Sequence, residues 1–342
     1  MLAIALCAVL SAQLQETITV SRVIVDARVT DHGGEPIAGL TAADFEVRIG
    51  GKKAVVESAE WIDDTVGGWQ LAVDGSAPAP DASSDSRQPP TANRQPGRLF
   101  VFFVQTDFSR DSWRTQGQMK FMQHYEQLVE TLAAEDRVAV FSFDSRLKFR
   151  LDFSSDRDAI REALSESLFI NDPPEPPIVP SPSLASRLDR EDLRRASHSE
   201  TGLLVVANAL RSIPGPKTLL LLGWGLGERS MSGVRMKRQW GPARTALEAA
   251  RVSIFALDTT DADYHDLEVG LISAAEQTGG FYAKTNVFPQ LAIERLTRTL
   301  SGHYELTLRA VDDLEPGSQE LTLRVKRRGA LVLAPSSVLI RR

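Results

Sequence analysis

The sequence predicts an α/β protein in which a doubly wound, mostly parallel sheet is joined to a small antiparallel β-sandwich module. Strand-like and helix-like segments alternate through short connections over residues 98–300, which is typical of a parallel sheet with helices on both faces. The segment at residues 99–104 is apolar throughout, as in a strand buried on both faces. Alternating apolar and polar residues occur before and after this region, which predicts half-buried antiparallel strands at both ends of the chain.

The first of these end segments, residues 18–62, is predicted to be an N-terminal β module. Residues 23–29 alternate between apolar and polar, residues 31–36 carry turn-forming types, and Gly50-Gly51 is a hairpin turn between two further strands. Residues 303–342 form the second end segment, with strand patterns around a Pro-Gly turn. Because a three-stranded fragment buries little apolar surface, we expect the two segments to pair and share a core.

Two stretches interrupt the periodic pattern. Residues 63–97 are rich in Pro, Ser, Asp and Gly, and this composition predicts a linker. Residues 171–199 contain six prolines and a charged stretch, and they are predicted to form a mobile loop inserted into the α/β region.

The N-terminus has the composition of a secretory signal, assigned to residues 1–15. The apolar run over residues 1–12 is too short to span a bilayer, and Ser11 and Ala12 are small residues suited to a cleavage point. No Lys or Arg precedes the run, so lipid attachment at Cys7 and an N-terminal strand of the fold are the alternatives. We expect an exported protein, periplasmic or extracellular, whose mature chain has no transmembrane segment, and no disulfide because Cys7 is the only cysteine.

Composition and motifs favour a binding role over catalysis. The net charge of −6 gives no electrostatic case for a nucleic-acid partner. The five histidines lack metal-ligand spacing, and neither a Gly-x-Ser-x-Gly nor a His-Glu-x-x-His motif is present. Residues 223–227 read Gly-Trp-Gly-Leu-Gly, which departs from the dinucleotide fingerprint and predicts a tight loop that presents Trp224. We therefore expect no enzyme activity.

The loop after the strand at residues 99–104 is the strongest candidate site. It offers Gln105, Asp107, Ser109 and Asp111, which are alternate residues carrying oxygen atoms, at the end of a strand where open α/β sheets bind ligands. A second acidic loop, residues 258–263, follows another strand, and it is interpreted as a solvated loop or a weak cation site.

The order of the segments resembles a von Willebrand factor A (VWA) domain, a Rossmann-like fold, and more closely the bacterial secreted group of VWFA-related acidobacterial domain proteins. The resemblance extends over residues 18–335 and is carried by six segments: VDARVTD at 25–31, GLTAADF at 39–45, AEDRVAVFSF at 134–143, DFSSDRD at 152–158, PGPKTLLLL at 214–222 and HYELTL at 303–308.

The resemblance implies a binding module with a metal-ion-dependent adhesion site. In that family a divalent cation, usually Mg²⁺, is held by an Asp-x-Ser-x-Ser loop, a Thr from a second loop and an Asp after the fourth strand. Here Gln105 stands at the first Asp position and Gly223 follows the fourth strand, so the site is degenerate. A shift of two residues gives a candidate metal set, which is Asp107, Ser109, Asp111 and Thr201, with Ser199 as an alternative to Thr201.

We therefore expect an exported protein that binds protein or envelope partners through the loops at the carboxyl ends of its strands. Gln105, Asp107 and Trp224 are the expected partner-binding residues, and Mg²⁺ is the only cofactor expected. The alternatives are a metal- or nucleotide-dependent enzyme that uses the same crevice, and a purely structural envelope protein.

Overall fold

Two β-sheets, one antiparallel and one largely parallel, account for the strands that the sequence predicts at the ends and in the middle of the chain. The computed structural model describes residues 22–64, 97–106, 112–169, 171–180, 182–309 and 314–340. The proposed signal at residues 1–15 and most of the predicted linker, residues 65–96, lie outside the described residues.

In chain order the strands are β1 (Arg22–Thr30), β2 (Phe45–Ile49), β3 (Lys52–Asp63), β4 (Leu99–Gln105), β5 (Arg137–Phe143), β6 (Leu147–Ser154), β7 (Lys217–Gly223), β8 (Glu228–Ser230), β9 (Gly233–Arg235), β10 (Val252–Asp258), β11 (Tyr282–Lys284), β12 (Gly302–Arg309), β13 (Gly317–Val325), β14 (Leu331–Leu333) and β15 (Ser337–Ile340). The helices are α1 (Ser112–Met122), α2 (Tyr125–Glu130), α3 (Arg157–Glu166), α4 (Arg190–Arg195), α5 (Ser199–Leu210), α6 (Trp240–Ala249), α7 (Glu268–Thr278) and α8 (Pro289–Thr299), and a 3₁₀ turn spans Ala42–Asp44.

The antiparallel sheet draws its strands from both ends of the chain. Its order is β14-β1-β12-β3-β2-β13-β15, so strands from the two ends are interleaved, and only the pairs β3-β2 and β13-β15 join strands from the same end. The β1–β12 register runs from Arg22 opposite Arg309 to Ala27 opposite Tyr304. The Tyr304 ring is fully buried, and its hydroxyl donates to the Ile37 carbonyl (2.8 Å) and accepts from the Leu40 amide (2.9 Å). One shared core therefore covers both end segments.

The second sheet has six strands in the order β11-β10-β7-β4-β5-β6. Strand β4 pairs in parallel with both β5 and β7, and only β6 runs antiparallel to its neighbour. Alternate residues of β4 enter two separate cores, with Val101 and Phe103 on one face and Phe100 and Phe102 on the other. As the sequence predicts, β4 is buried on both faces because helices cover both sides of the sheet.

The architecture is mixed α/β, but its largest sheet is the antiparallel one. The sequence-based expectation of a mostly parallel sheet with a small accessory module underestimates this part of the molecule. Each end segment looks small on its own, and their combined size becomes visible only when seven strands pair in one sheet.

Arg251 joins the two sheets at the turn between α6 and β10. Its guanidinium donates to Asp26 of β1 (2.9 Å through Nε) and to Glu305 of β12 (2.6 Å through Nη2). Its backbone φ is +53°, a left-handed conformation that residues other than glycine rarely adopt. The ion pairs hold the side chain against both strands, and the two carboxylates raise the pKa of Arg251 despite its burial.

The insertion at residues 171–199 contains helix α4 and, before it, an extended segment near β6. Among the helices of the described residues, none is long and apolar enough to cross a membrane.

Candidate functional site

The order of the six-stranded sheet reverses between β4 and β7, and we use the term crevice for the region beyond the carboxyl ends of these two strands. From β4 the chain continues to β5 and β6 on one side, and from β7 it continues to β10 and β11 on the other. Open α/β sheets bind ligands at such a switch point, beyond the carboxyl ends of the strands. Gln105 ends β4 and Gly223 ends β7, so these two positions define the floor of the crevice.

Gln105 is fully buried, and its amide makes four hydrogen bonds inside the protein. Nε2 donates to Ser199 Oγ and to the Gly225 carbonyl, both at 2.8 Å. Oε1 accepts from the amides of Trp224 (2.8 Å) and Gly225 (3.2 Å). A neutral amide with both donors and its acceptor oxygen engaged in this way joins β4, α5 and the loop after β7, and it offers no free atom to a metal or a partner.

There is no room for a side chain at position 223, because the Gln105 side chain occupies the space beside it. A Cβ built on Gly223 would lie 2.1 Å from Gln105 Oε1, far inside van der Waals contact. Gln105 and Gly223 are the two residues that differ from the adhesion-site pattern, and they pack against each other. The Gln105 amide occupies the space that a side chain at position 223 would need.

Helix α5 holds the loop after β7 from the other side. Ser199 in its first turn accepts from Gln105, and Glu200 accepts from the Gly227 amide at 2.7 Å. Thr201 lies half-buried in the same turn. The other candidate metal ligands, Asp107, Ser109 and Asp111, lie outside the described residues.

Trp224 lies half-buried at the mouth of the crevice, in contact with Arg114 of α1. The Arg114 guanidinium carbon is 3.4 Å from the centre of the indole ring, a cation–π contact. The indole nitrogen is buried and has no hydrogen-bond partner among the described residues. Of the three expected partner-binding residues, Gln105 is buried, Asp107 lies outside the described residues and Trp224 lies at the surface of the crevice.

A buried polar network follows β10, and sequence reasoning did not anticipate it. Asp258 Oδ2 accepts from the Tyr282 hydroxyl and lies against His265 Nε2, both at 2.7 Å, while Glu268 pairs with Lys284 at 2.7 Å. Burial alone would raise the pKa of Asp258, but the hydrogen bond and charge of His265 outweigh it and lower the pKa below its usual range. Burial and the neighbouring Asp258 carboxylate raise the pKa of Tyr282, which therefore keeps its proton.

Asp258, His265 and Glu268 are also placed to hold a metal ion, since their ligand atoms all lie within 4.8 Å of one another. One imidazole and two carboxylates suit a zinc-like ion better than Mg²⁺, which prefers oxygen ligands alone. The Lys284 ammonium, which pairs with Glu268, would have to move away from this carboxylate before such an ion could bind. In sequence only the acidic stretch at residues 258–263 signalled this region, because the other members come from separate elements.

Four segments beyond the ends of β4, β7, β10 and β11 make up what we call the carboxyl edge: the start of α1 (residues 112–120) and the connections at residues 223–235, 258–268 and 284–288. The loop after β10 contacts all of its neighbours. Asp261 pairs with Lys120 of α1 (2.6 Å), Asp266 pairs with Arg229 of β8 (2.9 Å), and Asp263 accepts from Asn286 after β11 (3.2 Å). These contacts connect the loop after β10 to the start of α1, to β8 and to the loop after β11.

Large apolar side chains stand exposed on this edge, at least one on each of its four segments. The most prominent are more than half exposed: Trp113, Met231, Tyr264, Val287 and Phe288. Surfaces that bind other proteins often carry exposed apolar groups of this kind.

Comparison with known proteins adds likenesses of overall structure only. No family model matches the sequence, and no curated protein matches it. A von Willebrand factor type A structure from Catenulispora acidiphila is 10% identical, covers 95% of this chain and 75% of that chain, and has a TM-score of 0.41. Proximal thread matrix protein 1 from the mussel byssus is 13% identical (62% of this chain, 48% of that chain, TM-score 0.40), and a further structure of that protein has a zinc-occupied MIDAS motif.

The conserved hypothetical protein BatB from Bacteroides thetaiotaomicron is 11% identical, covers 60% of this chain and 98% of that chain, and has a TM-score of 0.39. The chain spans about half the length of the mussel protein and 44% of human Sec24c. Solved structures that match this chain therefore include a von Willebrand factor type A protein, at low identity.

Proposed function

We propose that this protein is an exported, non-enzymatic binding protein that contacts a protein or envelope partner through its carboxyl edge. The observation that carries the proposal is the set of exposed apolar side chains on loops tied together by Asp261, Asp263 and Asp266. Apolar groups held in place before binding lose little conformational entropy when a partner covers them, so they contribute more to affinity than mobile ones. The proposal of export rests on the apolar run at residues 1–12.

The arrangement around Gln105 supports recognition that does not depend on a metal at the first ligand position. All polar atoms of its amide are engaged within the fold, and burial keeps them from solvent. Trp224, held by the Gln105–Gly225 bonds and faced by Arg114, would be the partner's contact at this point.

A binding role is also supported by the surroundings of the histidines. Within the described residues, the histidine ring nitrogens that form hydrogen bonds do so with carboxylates, His265 with Asp258 and His303 with Asp64. The hydroxyl beside the first pair is that of Tyr282, which donates to Asp258, and burial and this carboxylate raise the pKa of Tyr282, so the hydroxyl keeps its proton and is a poor nucleophile.

Selection from a random peptide library displayed on phage tests the partner surface. We expect wild-type protein to enrich a set of related peptides, and the variant Trp113→Ser/Met231→Ser/Phe288→Ser to lose them. The matched control, Ile24→Ser/Val55→Ser/Leu331→Ser, removes exposed apolar groups from the antiparallel sheet and should bind the same peptides as wild type. Failure to enrich any peptide set, or equal binding by the edge variant, would overturn the proposal.

Mg²⁺ at Asp107, Ser109, Asp111 and Thr201 is a separate part of the proposal, supported by the position of Thr201 in the turn of α5 that borders the crevice. Calorimetric titration with Mg²⁺, Mn²⁺ and Ca²⁺ tests it. We expect one binding event that Asp107→Ala and Thr201→Ala both abolish. If both variants still show the heat of metal binding, the ion is bound by other residues. Asp258, His265 and Glu268 would then be substituted next.

A further inference from the structure

Residues 172–180, in the insertion before α4, form an extended segment that we call the proline strap. Its sequence is Asp-Pro-Pro-Glu-Pro-Pro-Ile-Val-Pro. Proline fixes its own φ near −65°, and each residue that precedes a proline is restricted to extended conformations. Of the nine residues only Ile178 is under neither restriction. None of them has a positive φ, and no helix, strand or turn is present over residues 172–179, so the strap is an extended segment whose proline content favours the polyproline II conformation.

The burial of the strap repeats every three residues, which is the period of a polyproline II helix. Pro173, Pro176 and Val179 are half-buried and face the protein, whereas the two residues between each of them are exposed. The strap therefore lies on the protein along one of its three ridges and leaves the other two ridges in solvent.

Ion pairs anchor one of the exposed ridges. Asp172 pairs with Arg146 beside β6, and Glu175, three residues later, pairs with Arg190 at the start of α4. A cavity of about 360 Å³ lies between the strap and the side chains of β6 and α4, and the two ion pairs attach the strap on either side of it. The third ridge, Pro174, Pro177 and Pro180, makes neither ion pair and its three residues are exposed, although Pro174 also borders the cavity.

We propose that this outer proline ridge is a second interaction surface, recognised by a partner domain whose groove is lined by parallel aromatic rings. Prolines three residues apart on a polyproline II helix are spaced about 9 Å along its axis, and such grooves accept prolines at that spacing. A helix already formed and anchored loses little entropy on binding. The surface lies beside β6, separate from the carboxyl edge. This proposal therefore does not depend on the function proposed above.

Titration of the full-length protein into an isotope-labelled SH3 domain and a labelled WW domain, followed by NMR, tests this inference. Both probe domains bind polyproline II ligands in aromatic grooves. We expect at least one probe to show shifts confined to its groove, and Pro174→Ala/Pro177→Ala/Pro180→Ala to bind about tenfold more weakly or not at all. No groove shifts with either probe at millimolar concentration would overturn the proposal.

A matched pair of single variants separates the ridge from the mere presence of proline. Pro177→Ala alters the outer ridge and Pro176→Ala the inner one, and the two substitutions change the composition equally. We expect Pro177→Ala to weaken binding several-fold and Pro176→Ala to change it by less than about twofold. Equal effects, or a larger effect of Pro176→Ala, would show that the outer ridge is not the surface recognised. Unchanged urea denaturation of each variant serves as the control for folding.

Discussion

Replacing Gly223 by Ala is expected to destabilise the protein through one identified side chain, that of Gln105. The new Cβ would lie 2.1 Å from Gln105 Oε1 and 2.9 Å from its Cγ, so the Gln105 side chain must move. Moving it breaks the four hydrogen bonds that it makes to Ser199, Trp224 and Gly225. The backbone itself tolerates alanine, because Gly223 does not have a positive φ.

The size of the effect follows from the number of bonds. A net contribution of about 1 kcal/mol for each of the four hydrogen bonds gives a loss of about 4 kcal/mol in the free energy of unfolding. Gln105→Ala removes the same bonds and should cost about as much. In the double variant the Gln105 side chain is absent, so the alanine at position 223 meets no clash. The loss in the free energy of unfolding should therefore stay near 4 kcal/mol instead of doubling.

Urea denaturation of wild type, the two single variants and the double variant measures this coupling, provided that the dependence of unfolding on urea is unchanged among them. Gly241→Ala is the control, since a Cβ at Gly241 in α6 meets nothing within 4 Å and alanine favours helix. Additive losses from the two single substitutions would refute the argument, because they would show that Gly223 is required for a reason other than Gln105.

Three further predictions concern the core. Burial lowers the pKa of Lys217 from 10.5 to about 8, so between these values the unfolded chain binds more protons than the folded one. The free energy of unfolding of wild type relative to Lys217→Met should therefore rise by about 2 kcal/mol between about pH 7.5 and pH 10 in urea titrations, and a flat difference would contradict this. Arg251→Gly should be about 1 kcal/mol less destabilising than Arg251→Ala, because glycine accepts the positive φ; the same titrations give the order. Tyr304→Phe should cost about 2 kcal/mol by leaving the Leu40 amide and Ile37 carbonyl unpaired, seen as a lower urea midpoint at unchanged slope.

Local sequence patterns were enough to predict most individual strands. The apolar run that became β4, the alternation in β1 and the Gly50-Gly51 turn between β2 and β3 all depend on neighbouring residues, and the structure has these elements. The sequence also predicted that the loop after β4 follows the carboxyl end of a parallel strand, and β4 does pair in parallel with β5 and β7.

The chemistry of the crevice could not be predicted in the same way. The sequence predicts Gln105 to be a partner-binding residue, because it follows a buried strand at the end of the sheet where ligands bind. Its actual contacts are to Ser199, Trp224 and Gly225, which are 94 to 120 residues away in sequence. No local pattern indicates that the Gln105 side chain requires a glycine at position 223.

By itself the sequence determined most of the strands and helices and the place of the loop that follows β4. Those properties depend on backbone restrictions and on the burial pattern of adjacent residues. Only the tertiary structure decided that the end segments combine into the largest sheet, that Gln105 is buried and fully hydrogen-bonded, and that Asp258, His265 and Glu268 lie together. These outcomes depend on contacts between distant segments, where packing and the pairing of buried polar groups select one arrangement among many that the local patterns allow.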